Sequence, residues 1–160
     1  MIQDKNTIMR QNVAPETKIP TSLLLERLFS TSSISRFIKH YNAESTGFAD
    51  FHRYINHLCA VRNLASSKVV KKADIERKYG LQLFQGTRKP SRDKVIQLAF
   101  GFGLGYEETQ ELLTVARKSA LYPRIERDAV VIFALRRKHS LHTVQSILYE
   151  LSLPILGEER

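Results

Sequence analysis

Apolar residues recur at i, i+3, i+4 and i+7 in one short segment of this chain after another, and nearly every segment ends in glycine, proline or a capping residue. Such spacing gives each helix one buried stripe, and helices this short hold only by packing on their neighbours. The pattern therefore predicts an all-α protein built as a stack of small helices. Thr21 is a cap for a helix carrying Leu24, Leu25 and Leu28, and Ile34, Phe37, Ile38 and Tyr41 define a second. Phe51, Tyr54, Ile55 and Leu58 follow, then a helix from an N-cap at Ser66 or Ser67 through Ala73, and another from about Glu76 to Gln85, stopped by Gly86. Ser91 caps a helix with Val95, Leu98, Ala99 and Phe102 on one face, broken by Gly103 and Gly105. Leu112, Leu113 and Ala116 mark the next, with Tyr122-Pro123 at its end. The run AVVIFAL, residues 129–135, has strand-like composition, but its flanks extend a helical pattern that includes Ile125. Val144, Ile147, Leu148 and Leu151 give the last helix, ended by Pro154. No internal repeat or low-complexity tract is evident.

A length of 160 residues suits one domain with an appendage, and 42% hydrophobic residues suffice for a core. Residues 1–20 are polar, aperiodic and contain Pro15 and Pro20, which predicts a flexible tail. Residues 21–46 form an N-terminal helical arm, bounded by the loop-like stretch NAESTG. The main body is expected over 47–105, with a helical extension over 106–160 packed on it. The longest apolar run has seven residues, short of the roughly 18 needed to span a bilayer. The first residues lack the apolar stretch of a signal peptide, and Cys59 is the single cysteine, so a cytoplasmic protein without membrane contact is expected.

Charge is concentrated. Residues 66–94 hold nine Lys and Arg against three acids, which is +6 of a total net charge of +9. These cations fall on two brief helices joined by a short turn, and then on the loop after the second. A net positive balance favours an anionic partner. The second helix of such a pair can enter a DNA major groove, about 12 Å wide, and offer its N-terminal side chains to base edges.

The stretch GTRKPSRDKVIQLAFGFGL, Gly86–Leu104, resembles the end of the helix-turn-helix domain of Cro and repressor-type (XRE-family) regulators. Gly86 stands where that family closes its recognition helix. Arg88 and Lys89 lie in its basic loop, Pro90-Ser91 opens the next helix, Leu98 and Ala99 face the core, and Leu104 follows the glycine. Leu83 and Val69 match buried positions of the two helices before it, so the likeness covers about residues 51–104. The segments LYPRIERDAVVIFAL and ILYELSLPIL look like an extension of a bacterial subgroup of the family. Four positions depart from the pattern. Val70 replaces a small residue, Asp74 a turn glycine, Gly80 a β-branched residue and Phe84 an acid; Gly80 costs about 1 kcal/mol of helix propensity.

The resemblance implies a five-helix, lambda-repressor-like DNA-binding domain with extra N- and C-terminal helices. It implies a transcriptional regulator acting on double-stranded DNA. No catalytic, cofactor or metal pattern stands out in the sequence, and a homodimer is expected because one recognition helix reads too few base pairs to define a site. Arg77, Lys78, Gln82 and Tyr79 are the candidates for base or groove contact, since Arg pairs with guanine and Gln with adenine. Ser67, Lys68, Arg88, Lys89 and Arg92 are the candidates for phosphate contact. The pairing surface is expected on the helices around Ile125–Leu135 and Val144–Leu151 or on the arm around Leu24–Tyr41. A second function stays open: a helical interaction module, antitoxin-like or an adaptor, taking a protein partner through the arm or the C-terminal helices. The glycines at 101, 103 and 105 lack dinucleotide-loop spacing and follow no strand, and His139 and His142 have no third ligand nearby.

Overall fold

The computed structural model describes residues 21–44 and 50–158. The tail expected over residues 1–20 lies outside them. The chain divides into two compact units, residues 1–46 and 47–160. Among the described residues all regular structure is helical, with no strand.

The first unit holds α1 (Thr21–Ser30) and α2 (Ile34–Glu44). Thr21 is the first helical residue of α1 rather than its cap, and α2 runs two residues past Asn42, into the stretch expected to be loop. Leu24 and Leu28 are partly buried, whereas Phe29 and Ile34 are exposed.

The second unit comprises α3 (Phe51–Arg62), α4 (Ser66–Lys72), α5 (Arg77–Gln85), α6 (Arg92–Phe102), α7 (Tyr106–Val115), α8 (Glu126–Arg136) and α9 (Leu141–Glu150). The organising element is α6. The sequence predicts one buried face for it, yet Ile96, Gln97 and Gly101 are buried along with Val95, Leu98, Ala99 and Phe102. The reason is that α4, α7 and α9 all pack against it. Each fully buried Leu or Ile of this core contributes about 1.5–3 kcal/mol of transfer free energy. Gly101 lets α6 approach α4 closely: a Cβ there would lie 2.5 Å from the Val69 carbonyl oxygen of α4.

The helix ends follow their local chemistry. Ser91 Oγ accepts from Lys94 N and Ser140 Oγ from Thr143 N, and Gly86 and Gly103 close α5 and α6 in the left-handed region. Three boundaries differ from expectation. The N-cap of α4 is Ala65, which places Ser66 and Ser67 inside the first turn. Helix α7 stops at Val115, and Arg117 takes a left-handed φ of 56°, well before Tyr122-Pro123. Helix α9 stops at Glu150 with Ser152 at φ 57°, before Pro154. The 129–135 run is helical, as its flanks indicate.

An internal repeat, which the sequence pattern alone does not suggest, becomes plain in the contacts. Hairpin α6–α7 and hairpin α8–α9 match at a spacing of 35 residues. Arg92 Nε and Nη2 donate to the carbonyls of Ser119 and Ala120; Arg127 Nε and Nη2 donate to those of Pro154 and Ile155. The Gln110 side chain pairs with both backbone groups of Leu121, and Gln145 does the same with Leu156. The left-handed residues Arg117 and Ser152 also correspond. The hairpins are joined reciprocally. Arg92 forms a two-pronged pair with Asp128, and Arg127 forms one with Asp93, with donor–acceptor distances of 2.7–2.9 Å. Asp128 also accepts Tyr122 N, and Asp93 accepts Gly157 N. Helix α6 packs on α9 as α7 packs on α8.

Candidate nucleic-acid interface

Helix α5 is positioned from three sides. Its Leu83 and Phe84 are buried, and Phe84 meets the Phe102 ring of α6 at 6.4 Å. Its Gly80 lies against Val70 of α4, where a Cβ would stand 2.5 and 2.6 Å from the two valine methyls. From α3, Asn56 Nδ2 donates to the Phe84 carbonyl at 2.8 Å, and the His52 ring covers Gly86. The turn between α4 and α5 is held from α6: Gln97 Nε2 donates to the carbonyls of Ala73 and Asp74. Asp74 takes a left-handed φ of 51° there, which an aspartate tolerates better than most residues.

The other side of α5 faces outward. At 3.6 residues per turn, Arg77, Leu81 and Gln85 form one exposed row and Lys78 and Gln82 the row beside it. Glu76 caps the helix, and the N–H groups of Lys78 and Tyr79 that its side chain accepts hold its carboxyl below the ordinary range. Beside this face lies a groove of about 480 Å³ lined by Ile75, Glu76, Lys78, Tyr79, Gln82, Arg88, Lys94 and Gly157. Tyr79 forms its aromatic wall, with the Arg88 guanidinium 4.4 Å and the Lys94 ammonium 5.9 Å from the ring centre.

Four of the nine sequence-predicted site residues, Lys78, Tyr79, Gln82 and Arg88, thus line one groove. Arg77 and Lys89 are exposed outside it, as are Ser67 and Lys68 in the first turn of α4. Arg92 is different. All of its donors named above go to Asp128, Ser119 and Ala120, and Asp128 is only 2% exposed. The guanidinium is spent on a buried carboxylate, so we remove Arg92 from the phosphate-contacting set. Sequence reasoning missed Lys94, Leu81 and Gln85. The signal for the last two was present, since they stand four and eight residues after Arg77 on the polar side of the helix.

Asp93, beside Lys94, anchors the C-terminal segment to this site. Burial would raise its pKa, but hydrogen bonds from Arg127 and Gly157 N and the charges of Arg127 and Arg92 outweigh it, so the carboxyl sits below the ordinary range. Elsewhere, Cys59 is buried in the core, and that burial raises the pKa of its thiol. Among the described residues no helix is long and apolar enough to cross a membrane.

These features define an all-helical protein with a cationic groove beside an outward-facing polar helix. Comparison of the chain with family models, with curated proteins and with solved structures finds no match in any of the three.

Proposed function

We propose that this chain binds double-stranded DNA in a sequence-specific way, with α4 and α5 as a helix-turn-helix of the lambda-repressor-like type and α5 in the major groove, and that it acts as a transcriptional regulator. The observation that carries this is the division of α5. Its buried side is locked to α3, α4 and α6, while its outer side offers Arg77, Lys78, Gln82 and Gln85 beside the cations of the groove. Guanidinium and amide groups on a rigid helix can read base edges, and Leu81 offers an apolar contact for a thymine methyl. Lys68, Arg88, Lys89 and Lys94 supply the charge that releases counterions from phosphates.

The resemblance supports the same reading through two of its departures. Val70 and Gly80 each break the family pattern, one larger and one smaller than usual, and they face each other. The size change is compensated within one contact, so the helix pair keeps its close approach.

Selection from a random duplex pool at about 150 mM salt tests the proposal. An enriched motif is expected, with affinity falling steeply with salt, at a log–log slope of about −3.6 for these four phosphate-contacting cations. Failure to retain duplex DNA even at low salt would refute it.

The second reading, a protein-interaction module, rests on the arm: Phe29 is 80% exposed and Ile34 57% exposed. It locates a protein partner on α1 and α2. The helices α8 and α9, expected as a pairing surface, bury Val131, Ala134, Leu135, Val144 and Leu148 within the chain's own core.

A further inference from the structure

The contacts between the two hairpins have the form of an interface between two identical subunits. Exchanging α6–α7 with α8–α9 turns the Arg92–Asp128 pair into the Arg127–Asp93 pair, and the Tyr122 N–H bond into the Gly157 N–H bond. Reciprocity of this kind, in which residue i meets j and j meets i, defines a two-fold interface. Here both halves belong to one chain.

We infer that the second hairpin takes the place of a second subunit, and that the chain therefore engages DNA as a single copy on a site without two-fold symmetry. The inference rests on the DNA-binding reading of α5. Two observations carry it. First, the face of α6–α7 that would pair with another copy is already occupied: α9 packs on α6, α8 packs on α7, and both aspartates are matched. A second copy would have to displace a covalently attached competitor, whose effective concentration is in the millimolar range for a short linker.

Second, the duplication is incomplete in the part that reads DNA. The first hairpin is preceded by α4 and α5, whereas only a short loop after α7 precedes the second. Nor can the second hairpin accept such a pair from another copy. The position equivalent to Gly101, where α4 approaches closely, is Arg136. A Cβ alone at Gly101 would already lie 2.5 Å from the Val69 carbonyl. Arg137 and Lys138 follow it, also exposed, and Arg137 lies over the exposed Phe133 ring at 4.6 Å. One reading helix per two-fold pair follows, so the recognised sequence is one asymmetric element rather than an inverted repeat.

Sedimentation of the full chain at micromolar concentration, alone and with a duplex selected from a random pool, tests this. One 18.4 kDa chain per duplex, on a motif without inverted symmetry, is expected. Two copies per duplex on an inverted repeat with half-sites near 34 Å apart would overturn it. If no sequence is selected, the DNA reading fails separately, and the free chain still decides the pairing claim. A monomer supports the closed interface, and a dimer whose cross-links join α6 of one copy to α7 or α9 of the other refutes it.

Discussion

Replacing Gly80 with alanine probes whether α4 and α5 meet as described. In an exposed helix the change would stabilise by about 1 kcal/mol through propensity. Here the new methyl would stand 2.5 and 2.6 Å from the Val70 methyls, against about 3.5–4.0 Å for relaxed carbon contacts. Val70 is only 6% exposed, and a β-branched side chain in a helix keeps essentially one rotamer, so it cannot swing away. Overpacking costs about 1–3 kcal/mol; at about 2.5 kcal/mol for a contact this close, less ~1 kcal/mol of propensity, Gly80→Ala is destabilised by ~1.5 kcal/mol. Val70→Ala alone loses two buried methyl-sized groups at ~0.8 kcal/mol each plus a small cavity term, about 2 kcal/mol. In the double variant the methyl added on α5 occupies part of the space vacated on α4, and a loss of only ~1.5 kcal/mol is expected, a coupling of about 2 kcal/mol. Urea denaturation of the four proteins measures the cycle. Additive losses, or a Gly80→Ala variant more stable than the parent, would refute the packing and with it the compensated-pair argument for the helix-turn-helix.

Arg92→Ala should destabilise the fold by about 3–5 kcal/mol, because it strands a buried aspartate; Lys89→Ala should shift stability by under ~0.5 kcal/mol, and thermal melts separate the two. Lys89→Ala should weaken binding to all duplexes alike and lower the salt slope by about 1, whereas Arg77→Ala should cost ~1–3 kcal/mol and relax preference at one base position, as read by titrations against single-base variants. Asp93 has a folded pKa below its unfolded value, near 3.9. Its stabilisation is therefore present above about pH 4 and lost as the pH falls through the folded pKa. The stability difference between the parent and Asp93→Asn should accordingly be constant from pH 7 to 5 and shrink below 4 in urea melts; a difference that persists at pH 2 would show that its charge is not what matters.

Helix existence was legible almost throughout, because each stripe of Leu, Ile and Val has the period of the element it builds. The exits of α7 and α9 were not. Proline and glycine mark helix ends to the eye, but these helices end where Arg117 and Ser152 turn left-handed, and neither residue type announces that. The polar face of α5 was legible as composition, and Arg77, Lys78 and Gln82 stand on it. The fate of Arg92 was not, because its partner lies 36 residues away and nothing local separates a cation bound for phosphate from one bound for Asp128. The repeat was hidden for a related reason. What the hairpins share is Arg-Asp at the start, a glutamine 18 residues after the arginine, a leucine 11 residues after that, and the scattered apolar matches Val95/Val130, Ala99/Ala134 and Leu113/Leu148. Most other positions differ along with their surroundings: Leu98 is fully buried, while its counterpart Phe133 meets solvent, Arg137 and His139.

The repeated hairpins and the outer face of α5 are physically linked, and α6 is the link. Its first turn carries Asp93, fixed by Arg127 and Gly157 of the second hairpin, and next to it Lys94 lines the groove. One turn on, Gln97 holds both carbonyls of the α4–α5 turn, and at Gly101 the helix touches the α4 backbone. Any displacement of α8–α9 therefore shifts α6, and through Gln97 it shifts the turn that sets the direction of α5. The partly buried charge pairs between hairpins contribute little net stability, since desolvation offsets most of their attraction. They do fix register: two-pronged arginine–carboxylate pairs tolerate little sliding. On the DNA-binding reading proposed above, side chains of α5 that must meet base edges gain from that register more than from additional burial, which gives the second hairpin a physical role although no helix pair like α4–α5 precedes it.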